Sequence, residues 1–523
     1  MSKARVRPLV LLLVSLVFVS VGAQAPAAPP HIDALVERVR STFDVPGISL
    51  AIVKDDKVVV ARGFGVRKLG DPAPVDGRTL FGIASNSKVF TAAALGILVE
   101  EGQVAWDAPV IRYLPWFQLS DPYVTRELTV RDLLVHRSGL GLGAGDLLWW
   151  PPSTYTRREI AERLRFVPLE TSFRSAYAYD NVLYLVAGEV IETLSGLKWE
   201  EFIRTRILAK VGMGTSHPRF DTTINAGNVA TPHARVDERV RVVQPFASDN
   251  TNPAGGILSN AEDMAKWMRV LLRRGRLEDG TRLFSEATWR EISSLVTPMP
   301  NPDPPLELAP LASFVQGYAL GLNVREYRGH GALTHTGGLV GLVSRVLLIP
   351  DIGLGVSVLT NQESGEAFNA LAYSVADHYL KAPPVDWVAQ FAAVRARNLA
   401  RLADAELKST QARDASSKPS LPLAKYAGTY TDAWYGDIEI GEASGRLSIR
   451  FTKTPSLAGT LEHWQHDTFV ARWTDRELRA DAFVTFALEP DGSIERAKMQ
   501  AVSPATDFSF DFQDLTLVPK ISR

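Results

Sequence analysis

The sequence contains no cysteine. That excludes a disulfide, a thiolate metal site and a lipid-modified cysteine, so stability must come from core packing. Net charge is nearly absent too, at -1, so no whole-chain field draws the protein to nucleic acid or to an anionic membrane, and neither is expected as a partner. The apolar run from Leu9 to Val21 is too short to be a comfortable membrane span. It follows Lys3, Arg5 and Arg7 and precedes Ala23-Gln24-Ala25, the layout of a secretory signal over residues 1–25. Pro26 leaves the cut site open, and an uncleaved anchor is the alternative reading. If the signal is removed, no stable membrane insertion remains. A cysteine-free exported chain points to the bacterial periplasm or to secretion.

What is present is length. At 523 residues the chain needs two or more units. Apolar spacing over 31–43 predicts a helix, and β-rich runs at 48–53 and 58–61 around Lys54-Asp55-Asp56-Lys57 predict a hairpin. Helices are expected at Leu128–Leu140 with a Thr cap, at 187–196, at 199–208 and from Asn260 on. Gly141 to Pro152, with Trp149 and Trp150, either covers a cleft or packs on the body. Met299 to Pro310 must be loop. Strands are expected at Tyr318–Val324, Leu342–Ile349 and Leu354–Thr360, then a covering helix at 367–380. Early and late strands around a helical middle give an α+β unit over 31–381, with the N- and C-terminal strands as neighbours. A helix and linker follow over 382–422. The remainder, 423–523, reads as a small all-β barrel or sandwich, with short strands including Thr429–Thr431, Leu447–Phe451, Thr468–Trp473 and Phe508–Phe512.

Three local patterns carry chemistry. Phe81 to Thr91 sets Ser85 and Lys88 three residues apart at the start of an apolar helix, so a partly desolvated amine can reach the hydroxyl and act as its base. Tyr179-Asp180-Asn181 offers a phenol that can shuttle a proton and an amide that can bind a substrate carbonyl or hold the lysine. His335-Thr336-Gly337 precedes an apolar strand, and its glycines let a substrate backbone approach. Each pattern alone is weak: a helix cap with a surface lysine, a turn with a half-buried tyrosine and a hydrogen-bonded structural histidine are the more ordinary accounts of them.

In this order, together with the segments at 128–140, 208–213, 255–259 and 356–361, they resemble the serine β-lactamase and penicillin-binding superfamily. The branch most similar holds class C β-lactamases, D-aminopeptidases, D-alanyl-D-alanine carboxypeptidases and related esterases. The resemblance implies a β-lactamase/transpeptidase-like fold with Ser85 as acylated nucleophile, Lys88 as its base and Tyr179 as proton shuttle. It implies that Asn181, His335, Thr336 and Gly337 bind substrate, with one oxyanion donor on the backbone of Ser85 and a second within 337–339. It calls for no cofactor and no metal, and the pair His463 and His466 is a poor metal site. The C-terminal unit resembles the lipocalin-like domain that in this family gates the active site or mediates assembly, so a homo-oligomer stays open.

His335 departs from the pattern, because β-lactamases and penicillin-binding enzymes usually have lysine there. A mostly neutral imidazole suits a substrate carboxylate poorly, which favours esters, amides or D-amino-acid peptides. A β-lactamase or D-alanyl-D-alanine carboxypeptidase is the rival enzyme, and a non-catalytic receptor for cell-wall peptides the rival of another class. Intact Ser85, Lys88 and Tyr179 speak against the receptor. Substrate choice is expected to lie in the loops 141–155 and 299–310.

Overall fold

A computed structural model describes residues 26–220, 227–236 and 238–520. The secretory segment 1–25 lies outside them. Strand β1 (Gly47–Lys54) turns into β2 (Lys57–Gly65) through Asp55 and Asp56, both with positive φ (48° and 64°). Two left-handed residues match the twist of a two-residue hairpin. Six further strands follow much later: β3 (Thr297–Pro298), β4 (Gln316–Tyr318), β5 (Asn323–Tyr327), β6 (His330–Leu339), β7 (Leu342–Ile349) and β8 (Leu354–Thr360). The sheet runs β2-β1-β8-β7-β6-β5-β4-β3 and is antiparallel throughout. The first and last strands are indeed neighbours, with Ile48 opposite Thr360 and Lys54 opposite Leu354.

Both faces of the sheet are covered, which is why β1 reads as a continuous apolar run rather than an alternation. Ile48, Leu50 and Ile52 pack on one face with helices α1 (Ile32–Phe43), α5 (Gly365–Leu380) and the start of α6 (Trp387–Gln411). Ala51 and Val53 face the other core, with α2 (Lys88–Glu100), α3 (Val182–Ser195) and α4 (Ala261–Leu272). Helix α2 is buried from Lys88 to Leu98, as its apolar composition requires.

Three expectations are corrected. Leu128–Leu140 is not a helix: only a 3₁₀ turn forms, at Asp132–Leu134. Thr129 and Asp132 cap each other as at a helix start, but the turn goes no further because Val135 leaves the helical region (φ -123°) and His136 is left-handed (φ 57°). Tyr318–Val324 is two strands, β4 and β5, parted at Gly321, whose φ is 83° and whose missing side chain lets the turn approach the backbone of Lys88 and Val89. Phe508–Phe512 is not a strand but a loop entering a 3₁₀ turn at Phe512–Asp514.

The C-terminal strands, β9 (Gly428–Asp432), β10 (Gly436–Ala443), β11 (Arg446–Phe451), β12 (Ala458–Gln465), β13 (Thr468–Trp473), β14 (Ala482–Leu488), β15 (Ile494–Ala501) and β16 (Thr516–Pro519), close into a barrel with each strand beside its chain neighbours. Residues 446–451 alternate exposed and buried, and Ile438, Ile449, Phe451, Phe469, Trp473 and Val484 fill the interior. Strands β12 and β16 have no counterpart in the sequence reading. The fold is an α+β unit followed by a closed eight-stranded barrel.

Candidate active site

Phe81 and Gly82 lead into a 3₁₀ turn, Ala84–Ser87, which continues as α2. Ala84 has a φ of 47°, a left-handed conformation that costs an L-residue about 1–2 kcal/mol. The strained turn presents Ser85 at a cleft of about 330 Å³. In a 3₁₀ turn, residues three apart eclipse, so Lys88 lies directly against Ser85.

Lys88 is fully buried, and its Nζ has three neighbours: Asn181 Oδ1 at 2.7 Å, the Ala254 carbonyl at 3.1 Å and Ser85 Oγ at 3.1 Å. A neutral amine gives its two N–H bonds to the two carbonyl oxygens and leaves its lone pair for the Ser85 hydroxyl. Burial lowers the Lys88 pKa to about 7, against the opposing pull of the Asp146 and Asp180 carboxylates. The Tyr179 hydroxyl donates to Ser85 Oγ at 2.9 Å, and burial holds its pKa well above the usual tyrosine value. It is therefore a proton donor near neutral pH, while Lys88 can be the acceptor. The chain of donation runs from Tyr179 to Ser85 to Lys88.

Asn181 takes its orientation from below: its Nδ2 donates to Asp146 Oδ2 at 2.8 Å. Asp146 also accepts from Trp149 Nε1 at 2.8 Å and from the Ser509 hydroxyl at 2.9 Å. Burial pushes Asp146 up to about 7. Trp149 and Trp150 are buried in the core and also border the cleft, so both readings of that loop hold in part: it packs on the body and forms a wall of the cleft.

On the opposite wall, β6 carries His335, Thr336 and Gly337. His335 Nδ1 meets the Thr336 carbonyl at 2.5 Å, so it donates, and Nε2 therefore accepts from the Tyr318 hydroxyl at 2.8 Å. Burial lowers its pKa to about 3, so the ring is neutral and both nitrogens are taken. Thr336 and Gly338 face the cleft. Gly337 faces away, and a Cβ there would stand 2.3 Å from the Ile83 carbonyl and 2.9 Å from Ala84 Cβ. Strand β5 pairs with β6 only as far as Thr334, which leaves the backbone beyond it open toward Ser85.

Asp146, Ala254 and Asp507 are site residues that the sequence reading missed, and Phe508 and Ser509 belong to a run it assigned to the barrel. Asp507 and Phe508 line the cleft, whereas no residue of 299–310 does. That segment packs toward α6 instead, where Glu307 pairs with Arg397. Among the described residues no group of three or more His, Asp or Glu side chains is placed to hold a metal ion.

A two-sided α+β unit with Ser, Lys and Tyr converging at the start of a buried helix defines the β-lactamase and penicillin-binding class. The Beta-lactamase family model matches residues 32–380, and a domain of unknown function (DUF3471) matches 412–519. The chain belongs to the β-lactamase family and is of hydrolase type. It is 29% identical over 485 residues to "Unguisins hydrolase ungD" of Aspergillus violaceofuscus (strain CBS 115571), covering 86% of this chain and 84% of that protein. It is 26% identical over 346 residues to "Penicillin-binding protein 4" of Amycolatopsis lactamdurans, covering 63% of this chain and 84% of that one. Among solved structures, the octameric penicillin-binding protein homologue from Pyrococcus abyssi superposes with a TM-score of 0.59 at 21% identity, over 93% of this chain and 99% of that chain.

Proposed function

We propose that the protein is an exported serine hydrolase that cleaves an ester, an amide or a D-amino-acid peptide through an acyl-enzyme on Ser85. The observation that carries this reading is the position of Lys88 Nζ, 3.1 Å from Ser85 Oγ and held by two carbonyl oxygens, so that in its neutral form the amine turns its lone pair to Ser85. As Ser85 Oγ bonds to the acyl carbon, its proton passes to Lys88. When the tetrahedral intermediate collapses, the bond to the leaving group breaks and the proton reaches that group by way of the Tyr179 phenol. Water then attacks the acyl carbon, its proton follows the same route in reverse, and Ser85 leaves with its hydroxyl restored. The Ser85 N–H and the open β6 backbone near Gly338 serve as oxyanion donors, each typically worth ~3 kcal/mol of barrier.

The substrate reading rests on charge. Among the described residues none that lines the cleft is lysine or arginine, His335 is neutral, and Asp507 adds a carboxylate to the wall. A substrate carboxylate therefore meets no cation, which disfavours β-lactams and C-terminal D-alanyl-D-alanine. The name of the unguisins hydrolase agrees with a hydrolytic role. Export to the periplasm or the exterior rests on the segment 1–25. No helix among the described residues is long and apolar enough to cross a membrane.

The test is a turnover panel on wild type and Ser85→Ala: a p-nitrophenyl ester, D- and L-amino-acid p-nitroanilides, and nitrocefin. Ester or D-anilide turnover that disappears with Ser85 supports the proposal. Dominant nitrocefin hydrolysis makes the protein a β-lactamase, and no turnover with intact binding of cell-wall peptides makes it a receptor.

A further inference from the structure

The barrel is more than an appendage to the Ser85 site, because its loop after β15 reaches the layer beneath the catalytic lysine. Asp511 takes the backbone N–H groups of Gly145 at 2.6 Å and Leu147 at 3.0 Å, the residues on either side of Asp146. Ser509 donates its hydroxyl to Asp146 Oδ2, the oxygen that also holds Asn181. Gly143, with φ of 70°, gives its N–H to the Tyr179 carbonyl and lies so close to Phe508 that a Cβ would come within 2.8 Å of that residue's carbonyl oxygen. Residues 143–147 are thus clamped between Tyr179 and the barrel.

What the clamp controls is the orientation of one amide. The two ends of Asn181 are alike in shape, and only their partners distinguish them. An ionised Asp146 is acceptor-only, so it draws the NH₂ end and turns the oxygen toward Lys88. With the amide reversed, an N–H would point at Lys88 Nζ, the lone pair would be consumed, and Ser85 would lose its base.

Resting on the Ser85 reading above, we propose that Ser509 and Asp511 of the barrel, with Asp146, are positioning residues that fix Asn181 and thereby the free lone pair of Lys88. The competent state then requires Asp146 ionised and Lys88 neutral together. Facing Lys88 are Asp146, Asp180, His136, His335, Tyr179 and Tyr184, and facing Asp146 from the barrel is Asp511, backed by Asp514.

The experiment is the rate of covalent labelling of Ser85 by a fluorophosphonate, measured against pH on the full chain. Removing the Ser509 hydroxyl weakens the ionised form of Asp146. Ser509→Ala should therefore move the acid limb to higher pH by about half a unit or more and lower the plateau about tenfold. Asp146→Asn removes the charge that favours the Lys88 ammonium, so its limb should move to lower pH while the plateau falls further. It also sets an NH₂ group against either Trp149 Nε1 or Asn181 Nδ2. Partial unfolding lowers a plateau without moving a limb, so opposite limb shifts are a signature that damaged folding does not produce. Limbs at the wild-type position in both variants would overturn the proposal and leave the Ser85 reading standing. Absence of labelling in the unsubstituted protein would remove the Ser85 reading and this inference with it.

Discussion

Burial of Lys88 among Tyr179, Tyr184 and His136 lowers its affinity for a proton, and the neutral amine is the form that can deprotonate Ser85. Its pKa falls to about 7, so kcat/KM should be present above that value and lost as pH drops through it. A pH profile flat from 5 to 8 would contradict this assignment of the base. Tyr179→Phe removes the proton donor to Ser85 Oγ while keeping the ring. It should lower kcat by ~10²–10⁴ with little change in melting temperature, and near-normal turnover in a well-folded variant would show that the phenol is dispensable. Ser85, Lys88 and Tyr179 could be found in the sequence because their motifs are local. Asp146 could not, since it answers to Ser509, whose hydroxyl comes from 363 positions away in the chain.

At the scale of elements, strand β6 and the turn before α2 are fitted to each other through Gly337. The Cβ of Gly337→Ala would press on the Ile83 carbonyl and Ala84, the residues that aim Ser85. Overpacking of this kind costs about 1–3 kcal/mol. The variant should melt lower and lose turnover out of proportion to its stability, and wild-type kcat/KM would refute the fit. The hairpin β1–β2 and helix α2 were legible because turn residues and apolar periodicity act locally. Leu128–Leu140 misled because its Thr129/Asp132 cap is a true helix-start pattern, while the left-handed His136 that ends the turn leaves no mark in the sequence. Phe508–Phe512 misled because its alternation looks like a strand, whereas Ser509 and Asp511 bond to the other unit.

Across the whole molecule one apolar core runs from α2 and α3 into the barrel, joining Trp149, Trp150 and Tyr155 to Trp434, Tyr435 and Phe510. Backbone and side-chain bonds reinforce the junction: Thr154 N–H to the Lys453 carbonyl at 2.8 Å, Arg163 to the Trp434 carbonyl at 2.9 Å, and Arg479 to Glu363 at 2.7 Å. The two parts should therefore unfold together. Calorimetry of the full chain is expected to show one transition, and two well-separated transitions would contradict the shared core. Composition alone marked the change from an α+β texture to short strands, but not this junction, because contacts between distant segments leave no periodic trace.

The central claim is that Ser85 is the residue that carries the acyl group. The measurement that tests it most directly is the mass of the protein after reaction with a fluorophosphonate, followed by mapping of the modified peptide. The account predicts a single phosphonyl adduct on the peptide containing Ser85, formed more slowly as the pH falls below about 7 and absent in Ser85→Ala. An adduct on another residue, or an unmodified Ser85 in folded protein at pH 8, would contradict it.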